Sequence, residues 1–280
     1  MLTRVPTSIL IILVILPIGI FGGIWGPAAL FAVMAAVSVF EMLSCCGLLK
    51  KWYVSIPSIL GTAACVLLPA IFNTRIIVPV IMYIAVIPVV LVYFLFVAVI
   101  CHKTIAVDRI LMFFALVVYI NAGFIALTVL STVRPIFGFW TLVLVFAISW
   151  ITDTFAYFSG MLFGKRKLCP DISPKKTVAG AIGGTIFGTL AGVVVFWIFK
   201  GMPLWGLIAL PLSIVSQLGD LAASVIKRHM GVKDYGKLFP GHGGMLDRLD
   251  SIIPTSITTA MLLISIVVIF NYLKTGLLGF

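Results

Sequence analysis

The chain alternates long apolar runs with short polar segments, and several runs reach the roughly 20 residues that a membrane-spanning helix needs. The predicted spans are 8–24, 26–43, 55–72, 76–100, 110–133, 137–161, 178–199, 203–226 and 252–273. In hydrocarbon every backbone amide must be satisfied within its own segment, and these runs are too long and too uniformly apolar for barrel strands. The predicted fold class is therefore an all-α polytopic integral membrane protein with about nine transmembrane helices.

Two boundaries in this pattern depend on turn-forming residues. Gly22, Gly23 and Pro27 leave only a tight turn between the first two predicted spans. The 76–100 run is long enough to tilt, or to break near Pro88. The composition agrees with a membrane protein, because a mean hydropathy of +1.29 and a charged fraction of 10% lie far outside the range of soluble domains.

The basic residues predict the orientation of the chain. With nine spans, 15 of the 19 lysines and arginines fall on the side that holds the N-terminus, in the loops 164–177 and 227–250 above all. The positive-inside rule then places the N-terminus and both basic loops in the cytoplasm, and the C-terminus outside. The net charge of +11 forms one face suited to anionic lipid headgroups or nucleotide phosphates. Nucleic acid is not expected as a partner, because these residues lie in short interhelical loops.

Three carboxylates lie inside predicted spans, where an unpaired charge costs at least ~2.5 kcal/mol. Glu41 ends the second span, and we interpret it as a side chain that reaches water at the cytoplasmic side. Asp153 lies in the sixth span with Tyr157 one helical turn away, and we interpret it as functional. Asp220 lies in the eighth span. Each is therefore expected to be paired or to face water.

The helical period around Asp220 puts Ser216, Asp220, Ser224 and Lys227 on one stripe. A polar stripe does not face lipid, so we predict that it lines a cavity open to the cytoplasm beside the 227–250 loop.

Two further carboxylates follow that loop. Asp247 and Asp250 are three residues apart and point the same way if the ninth helix begins near Met245. Together with Asp220 and the Ser224 hydroxyl they are hard oxygen ligands of the kind that Mg²⁺ accepts, with water and phosphate oxygens completing the octahedron. A structural network of these aspartates with Arg228 and Arg248 is the alternative.

Between the two groups of carboxylates lies the glycine-rich segment 239–244. Gly241, Gly243 and Gly244 allow backbone N–H groups to converge on one anion. Basic residues flank the segment, which favours phosphate binding; they are Lys227, Arg228, Lys233, Lys237 and Arg248. His242 is interpreted as a hydrogen-bond donor to phosphate rather than as a base.

A second basic block covers residues 171–180. Ser173 is a natural N-cap with Pro174 at the first helical position, which places Lys175 and Lys176 in the first helical turn. Cations there interact unfavourably with the helix dipole, at a free-energy cost of about 0.3 to 1 kcal/mol each. We therefore expect a bound anion to compensate for this cost. Lys175, Lys176 and Thr177 are the candidate substrate contacts. The alternative is that these lysines only enforce topology or bind lipid headgroups.

The following helix carries Gly180, Gly184, Gly188 and Gly192 at four-residue spacing, which builds a ridge for close helix packing within the chain or across a dimer. We divide the chain into an N-terminal region, 1–136, that shapes the lipid side, and a C-terminal catalytic region, 137–280, that carries the loop 224–250.

The pattern S-x-x-K-R-x-x-x-x-K-D-x-G-x-x-x-P-G-H-G-G-x-x-D-R-x-D over residues 224–250 resembles the signature of the membrane-embedded phosphatidate cytidylyltransferases, or CDP-diacylglycerol synthases. The blocks 153–164 and 173–184 are similar to the same family. The resemblance implies that CTP and phosphatidic acid give CDP-diacylglycerol and pyrophosphate. It implies Mg²⁺ as the cofactor and leaves open whether a second cation also binds. It also implies that Asp220 and Asp247 bind the metal, that Ser224 is a further ligand, and that the protein forms a homodimer.

This chain departs from the family pattern at two positions. Ala179 stands where S-P-x-K-T-x-[EQ]-G has Glu or Gln, and Ala223 stands where a glutamate often precedes the serine. The metal site is therefore expected to be one carboxylate short. Two alternative functions remain at this point: a CTP-dependent polyprenol or lipid kinase, and a transporter of phosphorylated solutes.

Overall fold

The computed structural model describes residues 17–18, 21–72, 77–132, 138–201, 203–239 and 243–275. Within these ranges the chain forms nine α-helices, a 3-10 helix at Pro203–Ile208 and one two-stranded antiparallel sheet. The helices are α1 (Trp25–Cys45), α2 (Trp52–Ile71), α3 (Ile77–Cys101), α4 (Val107–Thr132), α5 (Phe139–Phe163), α6 (Val178–Lys200), α7 (Ala209–His229), α8 (Leu246–Leu249) and α9 (Ile252–Thr275). The strands β1 (Lys167–Cys169) and β2 (Ser173–Thr177) form a hairpin between α5 and α6.

The helices confirm the predicted fold class. In the described part of the chain, seven helices are long and apolar enough to cross a membrane, and α9 adds a shorter apolar stretch at Ile252–Ile266. The long third helix is continuous through Pro88. The first predicted span, 8–24, lies mainly outside the described residues.

The largest hydrophobic core surrounds α4. Phe113 and Phe124 of α4 are fully buried, and Phe113 meets Phe94 of α3 edge to face with ring centroids 5.5 Å apart. On another side of α4, the Ser256 hydroxyl of α9 donates to the Gly123 carbonyl at 3.1 Å. This core includes residues from both sides of the predicted boundary at 136/137, so the two regions pack against each other directly.

The glycine ridge of α6 packs inside the chain. A Cβ at Gly184 would lie 2.8 Å from the Thr152 carbonyl oxygen of α5, and one at Gly188 would lie 2.1 Å from Thr152 Oγ1. A Cβ at Gly192 would meet Ala209 Cβ of α7 at 2.2 Å. The absence of side chains therefore brings α6 against α5 and α7, the two helices that supply the intramembrane aspartates.

Two glycines end helices where the chain turns toward the polar end of the molecule. Gly231, with φ +69°, follows α7, and Val232 N–H donates to the Lys227 carbonyl at 2.9 Å. Gly47, with φ +72°, follows α1 and has the equivalent bond from Leu48 N–H to the Leu43 carbonyl at 2.9 Å. Both are Schellman caps, in which glycine adopts the left-handed conformation without a Cβ clash.

The start of α6 differs from the prediction. Residues 173–177 form strand β2 rather than a first helical turn, and α6 begins at Val178. Thr177 is the N-cap, and its hydroxyl accepts a hydrogen bond from Gly180 N–H at 3.1 Å. The argument that Lys175 and Lys176 oppose a helix dipole was therefore wrong, because pairing with β1 keeps both lysines in extended backbone.

Candidate active site

Aspartates from three parts of the chain line one cavity of about 590 Å³. Asp153 comes from α5, Asp220 from α7, and Asp247 and Asp250 come from α8 and the turn after it. Lys227, Asp234 and Arg248 also line the cavity. We call this space the aspartate cavity, and all of these seven residues except Asp234 are ones that the sequence singles out for function.

Asp247 is the most enclosed of these carboxylates, with 7% of the residue exposed. Its Oδ2 accepts from Tyr235 N–H at 2.7 Å and from Gly244 N–H at 2.9 Å. Its Oδ1 accepts from Lys227 Nζ at 2.9 Å. Asp247 therefore also fixes the loop between α7 and α8, in addition to any role toward a ligand.

Lys227 lies between two carboxylates. Its ammonium is 2.9 Å from Asp247 Oδ1 and 3.7 Å from Asp250 Oδ2. The Asp247 side chain is almost fully buried, and removal of one partner from a buried pair typically costs about 3–5 kcal/mol. This ion pair thus holds the end of α7 against α8.

Asp250 lies where negative charge accumulates. Burial raises the pKa of its carboxyl to about 7, the Asp220 carboxylate adds to the rise, and Lys227 opposes it. Asp153 lines the same cavity and accepts a hydrogen bond from the Ser251 hydroxyl at 3.0 Å. The lining has five aspartates against Lys227 and Arg248, and this excess of carboxylates favours binding of a cation.

A second cavity, of about 350 Å³, lies on the other side of Asp153 and Asp220. Its basic wall is formed by Lys167, Lys175 and Lys176, which come from the β1–β2 hairpin. Lys176 Nζ is 2.8 Å from Asp220 Oδ2, and both side chains are partly exposed. We call this space the lysine cavity; Asp153 and Asp220 line both cavities.

Glu41 is a functional candidate whose surroundings the sequence did not reveal. It is 5% exposed, so the interpretation that it reaches water was wrong. Its two oxygens accept from Met245 N–H at 2.8 Å and Leu246 N–H at 3.0 Å, at the start of α8. A Cβ on Gly236 or Gly244 would lie 2.3 Å from Glu41 Oε1. A lone carboxylate in an apolar span was the available signal, but its partners are about 200 residues away in sequence.

The glycine-rich segment is described in part. Gly241 and His242 lie outside the described residues, so their predicted contacts with phosphate stay predictions. Gly243 has φ +83°, and its carbonyl accepts from Phe239 N–H at 2.9 Å. The Gly244 N–H donates to Asp247, so this amide shapes the loop rather than facing an open space.

Several predicted site residues lie away from the two cavities. The Ser216 hydroxyl is fully buried and has no hydrogen-bond partner among the described residues. Of the predicted stripe, Asp220 and Lys227 line the aspartate cavity, whereas Ser216 and Ser224 do not. Ser224 is half-buried, and Arg228 and Lys233 are exposed. Of the described residues, these three are not part of either cavity wall. Thr177 touches the lysine cavity, but its hydroxyl caps α6.

The donor set fits a divalent cation that is held partly by substrate. Within the described ranges, no three His, Cys, Asp or Glu side chains lie close enough to enclose a metal ion. Mg²⁺ commonly binds through one or two carboxylates, with water and substrate phosphates supplying the remaining oxygens. The excess of carboxylates around Asp220 and Asp250 meets that requirement.

The chain is similar in sequence to known proteins. The model of the cytidylyltransferase family matches residues 2–266. Phosphatidate cytidylyltransferases of Brucella abortus (biovar 1, strain 9-941) and Brucella suis (biovar 1, strain 1330) are each 50% identical over 136 residues, covering 47% of this chain and 50% of each relative. The Staphylococcus haemolyticus (strain JCSC1435) enzyme of the same name is 50% identical over 109 residues, covering 38% of this chain and 42% of the relative.

The chain thus spans about half the length of the curated relatives that it matches. The family match itself extends over nearly the whole chain, including both cavities. From this match the chain belongs to the cytidylyltransferase family.

Proposed function

We propose that this protein transfers the cytidylyl group of CTP to phosphatidic acid, giving CDP-diacylglycerol and pyrophosphate. The observation that supports this most is the pair of polar cavities that share Asp153 and Asp220, one rich in carboxylates and one rich in lysines. A reaction between two phosphate-bearing substrates needs two adjacent anion sites with a cation between them. The names of the relatives agree with this reaction.

Phosphatidic acid would bind with its phosphate monoester on Lys167, Lys175 and Lys176. The monoester is already ionised near neutral pH, so no strong base is needed to activate it. One of its oxygens attacks the α-phosphorus of CTP in line, the new P–O bond forms, and the bond to the β-phosphate oxygen breaks. Pyrophosphate leaves with the electron pair of that bond.

The aspartate cavity would hold the triphosphate. Lys227 and Arg248 neutralise charge on the leaving pyrophosphate, and His242 donates a hydrogen bond to a phosphate oxygen. Asp220 and Asp247, with Asp250 as a further ligand, would hold Mg²⁺ there, and the bound ion would supply positive charge toward the α-phosphate and the leaving group. Ser224 stays a ligand implied by the family resemblance, because it does not line this cavity. Lys176 pairs with Asp220 in this structure, and it would be free to contact the lipid phosphate once a cation neutralised Asp220.

We further infer that the protein is integral to the cytoplasmic membrane with its N-terminus and both cavities facing the cytoplasm. The 15 basic residues on one predicted side support this orientation. A homodimer stays a prediction of the family resemblance, and the glycine ridge lends it no support because that ridge packs against α5 and α7.

The test uses purified protein in detergent with radiolabelled CTP, phosphatidic acid and Mg²⁺. We expect pyrophosphate and lipid-soluble CDP-diacylglycerol in equal amounts. Release of CDP with a phosphorylated lipid alcohol would instead identify a CTP-dependent kinase. Transport of a phosphorylated solute into sealed vesicles, without turnover of CTP, would identify a transporter.

A further inference from the structure

The lysine cavity opens into an apolar groove on the outer side of α6 and α7. The groove has a volume of about 370 Å³. Leu168, Ala181 and Gln217 line both the groove and the lysine cavity. The two spaces therefore adjoin at these three side chains.

The walls of the groove are suited to hydrocarbon. Ile182, Ile186 and Ile214 are 57%, 59% and 45% exposed, on helices long and apolar enough to span a membrane. Along α7 the lining extends from Ile214 to Leu221, which is about 10 Å at 1.5 Å per residue. A groove of this length covers the first part of a lipid tail.

Polar contacts keep the two helices at a fixed distance where the groove meets the cavity. Gln217 Nε2 donates to Thr185 Oγ1 at 3.0 Å and to the Ala181 carbonyl at 3.3 Å. These bonds tie α7 to α6 and place one amide group at the junction. The polar part of a lipid would pass this junction, with its phosphate on one side and its tail on the other.

We propose that this acyl groove binds the first part of one acyl chain of phosphatidic acid, while the lysine cavity binds the phosphate of the same molecule. The proposal rests on the proposed function. Charge favours this groove over another apolar cavity, of about 390 Å³, which lies on a neighbouring face of α7 and shares Leu218 with it. The charged residue of that cavity is Asp250, a buried carboxylate that repels a phosphate monoester, whereas the lysine cavity beside the acyl groove sets three lysines against Asp153 and Asp220.

A matched pair of alanine-to-phenylalanine variants tests the assignment. Ala181 lines the junction of the acyl groove, and Ala222 lines the cavity on the neighbouring face of α7. We expect Ala181→Phe to raise the KM for dipalmitoyl phosphatidic acid about tenfold, as expected for a disturbed hydrophobic subsite. The KM for CTP stays unchanged, and the KM for short-chain dibutyryl phosphatidic acid changes less. Ala222→Phe behaves like the wild type; an effect of Ala222→Phe equal to or larger than that of Ala181→Phe overturns the proposal.

Photo-cross-linking gives a readout that does not depend on turnover or on a variant that folds poorly. The probe is phosphatidic acid with a diazirine near the ester end of one acyl chain, bound to the wild-type protein in detergent. We expect labels on Ile182, Ile186 or Ile214, and competition by unlabelled phosphatidic acid. Labels on α4 and α9 instead place the acyl chain in the 390 Å³ cavity and overturn the proposal.

The two experiments separate the acyl groove from the reaction. If the protein converts phosphatidic acid but the label maps elsewhere, the groove assignment is wrong and the proposed function stands. If the label maps to the groove but no cytidylyl transfer occurs, the proposed function is wrong. The groove then binds phosphatidic acid in a protein with a different activity.

Discussion

The family resemblance implies the same metal-binding role for Asp220 and Asp247, but the two side chains have different surroundings in the structure. Among the described residues, the Asp220 carboxylate forms an ion pair with the partly exposed Lys176, whereas Asp247 accepts hydrogen bonds from Lys227 and two backbone amides. We predict that Asp220→Asn lowers turnover at least about a hundredfold, since a neutral amide would hold less tightly the cation that stabilises negative charge in the transition state. Stability should fall by less than ~1 kcal/mol, the usual worth of a partly exposed pair. Pyrophosphate release and thermal unfolding in detergent measure the two effects.

Asp247→Asn is the comparison variant for that experiment. Because it leaves Lys227 partly unpaired in a buried position, we expect a loss of stability together with the loss of turnover. If Asp220→Asn kept more than about a tenth of wild-type turnover, which is a barrier change under ~1.4 kcal/mol, Asp220 would not be a metal ligand.

Glu41 is predicted to act by positioning α8 and with it Asp247. Glu41→Gln keeps one carbonyl-type acceptor but replaces the other by an N–H donor, which faces a backbone N–H at the start of α8. We expect kcat to fall at least about tenfold with a smaller change in the KM for CTP, since an unsatisfied buried group costs ~1–3 kcal/mol. Ser38→Ala is the control, because Ser38 is buried on the same helix and bonds only within it. If Glu41→Gln and Ser38→Ala lowered kcat equally, Glu41 would have only a general packing role.

The sequence identified the charged residues but not all of their partners. Asp153, Asp220, Asp247 and Lys227 stand out because a charge in an apolar chain is costly, and the structure gathers them in one wall. Glu41 was misinterpreted because its partners are backbone amides, which every residue has and which no sequence pattern distinguishes. For the same reason, the hydrogen bond from the Gly244 amide to Asp247 was not predicted from the sequence.

At the scale of the helices, the contact between α5 and α6 depends on glycine. Gly188→Ala would place a methyl group 2.1 Å from Thr152 Oγ1 and 2.9 Å from Ser213 Cβ. We expect it to destabilise the protein by about 1–3 kcal/mol, as overpacking does in a closely packed interior. Gly61→Ala is the matched control, since nothing lies within 4 Å of a Cβ there, and it should be neutral or slightly stabilising. Thermal unfolding in detergent that showed equal shifts for both variants would argue against the packing role of the ridge.

The hairpin before α6 shows where local sequence rules are ambiguous. Ser173 and Thr177 both have side chains that cap helices, and Pro174 favours the first position of a helix. The pairing of β2 with β1 selects Thr177, and that pairing involves residues before the turn rather than the local sequence. The prediction of lysines beside an anion site survives this correction, because the hairpin points Lys175 and Lys176 into the lysine cavity.

These two lysines are predicted to bind lipid phosphate rather than to set topology. The double change of Lys175 and Lys176 to Gln should raise the KM for phosphatidic acid at least about tenfold, or ~1.4 kcal/mol. The double change of Lys165 and Arg166 to Gln is the control. It removes the same charge from the same loop, but neither Lys165 nor Arg166 lines the lysine cavity. Steady-state kinetics should show a normal KM for this control. Similar kinetics for the two double variants would mean that only the net charge of the loop matters.

For the whole molecule, apolar run length alone was enough to predict the fold class, because backbone in hydrocarbon leaves few alternatives to helices. The arrangement of the helices was not predictable in the same way. α4 is as apolar as its neighbours, yet it is the one that the other helices surround. Uniformly apolar helices show no amphipathic face, so their contacts depend on shape, which a hydropathy pattern does not record.

Orientation in the bilayer is the remaining prediction for the whole molecule, and it follows from the basic residues. Single cysteines at the exposed positions Lys103, Asp171 and Lys233 should react with a membrane-impermeant thiol reagent only from the cytoplasmic side, after replacement of the five native cysteines. A cysteine at Phe72, which is 37% exposed at the other end of α2, should react only from the outside. Intact cells and inside-out vesicles provide the two sides. If the first three positions reacted from outside, CTP made in the cytoplasm would not reach the aspartate cavity, and the proposed reaction would have no access to its nucleotide.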